Sequence, residues 1–189
     1  HTFPLEAGSH RLTIRVENKE SNRRQRYSHT LPIRNFNADT LMLSDLLLAG
    51  NIKPVTRPGE FTRNNLRIIP YPYNIIKKKN PVFIYVEVYN LLLNGVGKSD
   101  YSVTYDVSML DQKRGFFSNV VTSIGSIFGG DDSIISSTYP VRGESQTASE
   151  YFSFDFSKVK PGKIELAVTI TDNISGSSKT ARRILYIRE

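Results

Sequence analysis

The chain has 189 residues, 39% of them hydrophobic, which suffices for one large domain with a packed core or for a domain and part of another. It contains no cysteine, so disulfides, thiolate nucleophiles and cysteine-based zinc sites are excluded. The formal net charge is +7, but Lys and Arg cluster only at 22–26 and 77–79, so nucleic acid is not favoured as a partner.

The chain begins with a segment that is repeated at its end. LEAGSHRLTIRVENKESNRRQRYSHTLPIR (5–34) aligns without a gap with VKPGKIELAVTITDNISGSSKTARRILYIR (159–188), at a shift of 154 residues. Each copy reads as a turn glycine, a strand, a polar loop and a closing strand. We therefore predict that residues 1–36 are the terminal hairpin of a preceding, truncated β-domain and that 37–189 form a complete copy. Chance similarity between two hairpins is the alternative.

The start of the chain fits this interpretation. It opens on His1, runs into a strand within ten residues and lacks the pattern of a signal peptide. We expect a fragment or a processed product. No stretch approaches the roughly 18 apolar residues that span a bilayer.

Alternating apolar and polar residues indicate strands along most of the remaining chain. YSVTYDVSML (101–110) alternates strictly, and VFIYVEVYNL (82–91) is apolar on both faces apart from Glu87, which is typical of a central strand. YFSFDF (151–156) and IELAVTIT (164–171) alternate as well. About nine short strands separated by polar turns predict an all-β protein, specifically an Ig-like antiparallel β-sandwich.

One stretch, GFFSNVVTSIGSIFGGDD (115–132), has helical spacing instead. An amphipathic helix of about three turns is predicted there, in an insertion at about 112–148. It can pack on its own domain, which we favour, or meet a partner or a lipid interface. The surface that would meet a partner consists of Phe116, Phe117, Val120, Val121 and Ile124.

A family resemblance covers roughly residues 40–175. The residues that carry it are the LSD strand opener (43–45), the proline–tyrosine segment before VFIYVEVYNL, and the PG turn that leads to a strand ending in TD (171–172). In these features the chain resembles the β-rich region of bacterial proteins that carry a GWxTD domain. The motif that names the family is absent, because the chain has no tryptophan. The resemblance implies a β-sandwich module of an exported or envelope-associated protein and transfers no catalytic residue.

A candidate binding surface lies in IPYPYNIIKKK (69–79). Tyr71 and Tyr73 stand beside prolines, which restrict this stretch to an edge or a loop. Exposed tyrosines there could stack on sugar rings, while Lys77, Lys78 and Lys79 meet anionic groups. Cross-strand packing of the same tyrosines is the competing interpretation.

Catalytic chemistry is not indicated. The three histidines, His1, His10 and His29, form neither an HxH nor an HExxH pattern, and we find no nucleophile–base constellation. We therefore predict no catalytic residue, no metal and no cofactor.

These observations predict a non-catalytic structural or interaction module of a larger exported or envelope-associated bacterial protein, in the periplasm, at the outer membrane or secreted. The partners would be other domains of the same protein or a separate protein. A carbohydrate-binding module that uses the exposed tyrosines is the alternative.

Overall fold

The computed structural model describes residues 5–79, 81–110, 134–157 and 159–189. Every element in these residues is a β-strand, which confirms the all-β prediction. The predicted helix and its five candidate interface residues lie outside the described residues. No helix in the described part is long and apolar enough to cross a membrane. The chain divides into two compact units, His1–Ala38 and Asp39–Glu189.

The first unit is an antiparallel hairpin. Strands β1 (Gly8–Asn18) and β2 (Arg23–Ile33) pair over their whole length, from Gly8 opposite Ile33 to Asn18 opposite Arg23. Because residues opposite each other share a face, Leu12, Ile14 and Val16 lie on one face with Tyr27 and Leu31.

The second unit contains the other strands. They are β3 (Met42–Leu43), β4 (Leu47–Pro54), β5 (Thr62–Arg63), β6 (Leu66–Pro70), β7 (Ile75–Lys77), β8 (Val82–Tyr89), β9 (Ser99–Met109), β10 (Ile134–Gly143), β11 (Ala148–Phe154), β12 (Gly162–Asp172) and β13 (Ser178–Arg188).

These strands form two sheets. The first has the order β11-β8-β4-β6-β5, with β3 also paired to β8, and the second has the order β10-β9-β12-β13-β7. Pairing is antiparallel except between β13 and β7, which run parallel. Both sheets contribute to one buried cluster, in which Leu48, Ile84 and Val86 of the first sheet are packed with Val103, Leu166 and Leu185 of the second. The fold is therefore sandwich-like.

Strand β8 is central, as its two apolar faces predict. It pairs with β11 on one side and with β3 and β4 on the other. Its inner residues join the main core, while Tyr85, on the outer face, belongs to a second buried cluster with Ile52, Leu66 and Ile68. The pairing of β4 shifts register between Ala49 and Asn51, a β-bulge of the kind that bends a strand. The part of β4 beyond the bulge and β6 thus cover the outer face of β8.

The sequence did not predict β10. It occupies 134–143, inside the range 112–148 that the periodicity assigned to an insertion, and pairs along β9. Its sequence, IISSTYPVRG, lacks sustained alternation and contains Pro140. The strand stands at the end of its sheet order, where proline is tolerated.

Candidate functional site

Tyr71 and Tyr73 lie in the loop between β6 and β7 and contact each other edge to face, with ring centroids 5.9 Å apart. Tyr71 packs against the main core, and its hydroxyl donates a hydrogen bond to the carbonyl of Ile75 at 2.8 Å. Tyr73 is 65% exposed. The pair therefore offers one accessible ring and no coplanar stacking platform.

The three lysines that follow differ in their surroundings. Lys77 and Lys79 are exposed, whereas the side chain of Lys78 is only 19% exposed and its Nζ lies 2.9 Å from Oε1 of Glu189. Lys77 pairs in register with Arg188 of β13, so both lie on the same face of the sheet. Two cations thus border the end of β7.

The loop is attached to β13 by Asn74. Its carbonyl accepts a hydrogen bond from the backbone amide of Tyr186 at 2.8 Å, and its Oδ1 accepts another from Nη2 of Arg183 at 2.8 Å. Arg183 also donates through Nη1 to the carbonyl of Leu46, at 2.7 Å, in the connection between β3 and β4 of the other sheet. Strand β7 is consequently held parallel to the end of β13.

This arrangement places large apolar side chains on the outside of the sheet. Ile75 pairs with Tyr186, and Ile184 lies two residues before Tyr186, so all three point to the same face. Ile75 and Ile184 are each 42% exposed, and Tyr186 is 45% exposed. The intervening residues Ile76 and Leu185 point inward and are fully buried. We call Ile75, Ile184 and Tyr186 the β7–β13 surface.

Charged residues border the β7–β13 surface. Lys77 and Arg188 stand at one end, and Arg182 lies on the same face at the other, with its Nε 3.6 Å from Oε1 of Glu165. Apolar and aromatic residues within a charged rim are typical of protein interfaces.

A second candidate site, the Glu87 cluster, lies on the outer face of β8. Glu87 is 4% exposed, and its carboxylate accepts hydrogen bonds from Nε and Nη2 of Arg63 and from the hydroxyls of Tyr85 and Tyr89. Nδ2 of Asn64 also donates to Oε1, at 3.0 Å.

The turn between β5 and β6 positions Arg63 and Asn64, the two donors to Glu87 that do not belong to β8. Asn64 and Asn65 both have positive φ, 48° and 60°, the conformation that a two-residue hairpin turn of type I′ requires and that asparagine tolerates. This turn connects Arg63 of β5 to Leu66 of β6, and Leu66 belongs to the cluster covering Tyr85. The turn thereby brings Arg63 and Asn64 to the carboxylate.

The surroundings of Glu87 favour its ionised form. Burial alone would raise the pKa of its carboxyl, but hydrogen bonds from Arg63, Tyr89 and Tyr85 outweigh burial and hold the pKa below its usual value. The hydrogen bond to Glu87 raises the pKa of Arg63, and burial raises the pKa of Tyr85 to about 12. A carboxylate stabilised in this way is a poor general acid or base near neutral pH.

A cavity of about 450 Å³ adjoins the cluster. Its walls include Arg63, Asn64, Glu87, Tyr89, Thr147 and Ser149. The volume lies within the range of small-molecule sites, and the side chains offer both hydrogen-bond donors and acceptors. The cavity can therefore hold a polar molecule.

The sequence analysis missed most of these residues. Glu87 carried a signal, since it is the one charged residue in an apolar strand, and a buried charge needs a partner. Nothing in the sequence named Arg63 as that partner. The exposure of Ile184 and Tyr186 likewise depends on which face of β13 turns inward.

In the described residues, no group of three or more His, Asp or Glu side chains is placed to hold a metal ion. No protein-family model matches this chain, and no curated protein matches it.

Proposed function

We propose that residues 39–189 are an Ig-like, non-catalytic module that binds a protein partner through the β7–β13 surface. The strand order supports the Ig-like assignment. Strands β4, β8 and β11 lie in one sheet, and β10, β9, β12 and β13 lie in the other. In chain order, β4, β8, β9, β10, β11, β12 and β13 then correspond to strands A, B, C, C′, E, F and G of an immunoglobulin-like sandwich. In such a sandwich A, B and E lie in one sheet and C′, C, F and G in the other.

The observation that carries the function is the common outward orientation of Ile75, Ile184 and Tyr186. Large apolar residues scattered singly over a surface need no explanation, but a contiguous group indicates an interaction site. The cations Lys77 and Arg188 at its border favour a partner with acidic residues around an apolar centre.

The resemblance to proteins with a GWxTD domain supports placing the module in a larger exported or envelope-associated bacterial protein. Membership of that family is part of the proposal. It predicts that the complete gene encodes a GWxTD segment in addition to these 189 residues, which sequencing of the gene would test.

Site-specific photo-cross-linking tests the binding surface. With benzoylphenylalanine in place of Tyr186, irradiation of cells that make the protein yields one discrete adduct, and Ile75→Asp in the same chain removes it. Thr180 is the matched control, since it is exposed on the same face of β13. Benzoylphenylalanine at Thr180 yields no such adduct. Absence of an adduct from position 186, or the same adduct from both positions, would refute the assignment.

Carbohydrate binding is the second candidate function, and the cavity beside Glu87 favours it more than the tyrosines do. Tyr71 uses its ring and its hydroxyl within the fold, so a stacked sugar would meet Tyr73 alone. The cavity, in contrast, presents a guanidinium, an amide and hydroxyls to a polar ligand.

A glycan array separates the two sugar sites. We would compare the wild type with Tyr73→Ala and with Thr147→Trp, which fills the cavity without removing a hydrogen-bond partner of Glu87. Loss of binding in the Thr147 variant alone would assign the cavity. No binding by the wild type would end the carbohydrate hypothesis.

A further inference from the structure

The hairpins β1–β2 and β12–β13 have the same register. Gly8 pairs with Ile33 and Gly162 with Ile187, so adding 154 to both numbers of the first pair gives the second. Every pair in the ladders obeys this shift up to the loops. Both glycines also have positive φ, 142° and 153°. The repeat seen in the sequence is thus a repeat of backbone geometry.

The two loops agree as well. Oδ1 of Asn18 accepts hydrogen bonds from the amides two and three residues later, at 2.9 and 3.1 Å. Oδ1 of Asp172, at the equivalent position, accepts from the corresponding amides at 2.9 and 3.4 Å. Asn22 and Gly176, also equivalent, both have positive φ, 52° and 72°. Agreement in a loop of different sequence argues against chance similarity.

The hairpins differ in how much of their apolar face is covered. Four apolar residues of the first copy are exposed where their counterparts are buried: Leu5 49% and Val159 7%, Leu12 39% and Leu166 0%, Ile14 48% and Val168 0%, Val16 62% and Ile170 0%. Leu31 and Ile33 are half-buried, whereas their counterparts Leu185 and Ile187 are buried. In the second unit, the sheet containing β4, β8 and β11 covers this face. The first hairpin has the inner face of a sandwich without the opposing sheet.

We propose that β1–β2 is the closing hairpin of another sandwich of this kind. Its apolar face is then the docking surface for a polypeptide that carries the remaining strands, with the pattern of residues 39–157. The occupant is an aliphatic sheet that packs on Leu12, Ile14 and Val16, together with a strand that pairs with the outer edge of β1.

Charge complementarity supports the strand at that edge. In the second unit, β9 pairs antiparallel with β12 and places Asp106 opposite Ala167. The residue equivalent to Ala167 is Thr13, and Arg11 and Arg15 flank it on the same face of β1. A strand like β9 in the same register would therefore place an acidic side chain between two arginines.

An extended chain tests the proposal. Residues 39–158 are placed directly before Leu5 of the full chain, so that β1–β2 occupies the position that β12–β13 has after Lys158. Amide hydrogen exchange is then compared between the full chain and the extended chain. We expect the amides of β1 to gain about 100-fold protection or more, because a covered strand opens only with its domain. Ile14→Asp, on the inner face, removes the gain, and the matched variant Thr30→Asp, exposed on the outer face opposite Arg11, keeps it.

Other results would overturn the inference. If the amide exchange of β1 is unchanged in the extended chain while β12 and β13 stay protected, the inference about the first hairpin is refuted. The function proposed for the β7–β13 surface is not affected by that result. Protection of β1 already in the full chain, lost with Ile14→Asp, would mean that residues 39–189 cover the face, and protection that rises with protein concentration would mean a second copy.

If the extended chain does not fold its added part, the variant His10→Ile with Val16→Ile restores the residues of β12 at those two positions. Continued failure of that variant would also refute the proposal.

Discussion

Arg63 donates two hydrogen bonds to the carboxylate of Glu87, although β4 and β6 stand between their strands in the sheet order. The contact is possible because β4 bends at the bulge after Ala49 and carries β6 and β5 over the outer face of β8. A buried carboxylate thus connects two parts of one sheet that are not neighbours.

Removal of Arg63 should destabilise the second unit. We expect Arg63→Ala to lower the free energy of unfolding by about 2–3 kcal/mol, less than the roughly 3–5 kcal/mol for a fully buried pair, since the Arg63 side chain is 60% exposed. Arg67, exposed on β6, is the matched control, and Arg67→Ala should change the value by about 0.5 kcal/mol or less. Urea denaturation measures both, and equal effects would contradict the structural role of Arg63.

The contact between Arg63 and Glu87 could not be predicted from the sequence, although the place of β8 could. The two apolar faces of β8 predicted its central place, because residues of both faces must be buried somewhere. Glu87 was visible as an exception, but its partner is 24 residues away and depends on the bend in β4. Strand β10 was missed because it lies at a sheet edge, where the apolar alternation that marks a half-buried strand is weak. Local pattern predicts strands, whereas the site depends on how they cross.

Stability should fall in acid because of Glu87. Its pKa is lower in the folded state than in the unfolded chain, so the folded state binds fewer protons in the acid range. The contribution is present above the unfolded pKa of about 4.3 and is lost as the pH falls through the folded value. We expect Glu87→Gln to be less stable than the wild type at pH 7 and to lose less stability on acidification.

Denaturant unfolding at a series of pH values from about 7 to 3 measures this difference. Asp172 also has a lowered pKa and will leave some acid dependence in the Glu87 variant. If the free energy of unfolding of Glu87→Gln depends on pH as steeply as that of the wild type, the hydrogen bonds of the cluster do not lower the pKa of Glu87.

Asp172 should tolerate substitution by asparagine poorly. Its Oδ2 accepts hydrogen bonds from the backbone amide of Leu92 at 2.9 Å and from the hydroxyl of Ser175 at 2.8 Å. In the asparagine variant, an Nδ2 group at this position would be a donor facing the N–H donor of Leu92. We expect Asp172→Asn to cost about 1–2 kcal/mol. Asp106→Asn on the outer face of β9 is the control, and thermal unfolding that shifts equally in both variants would contradict the prediction.

The central claim is that the apolar side chains of the β7–β13 surface bind a partner and contribute little to the stability of the fold. The free energy of unfolding of the purified protein tests it directly. Ile75→Ser with Tyr186→Ser should together cost about 1 kcal/mol or less, as exposed positions do, whereas Ile76→Ser or Leu185→Ser, one residue away and fully buried, should each cost about 3 kcal/mol or more. A loss from the outward pair as large as that from either inward variant would contradict the account.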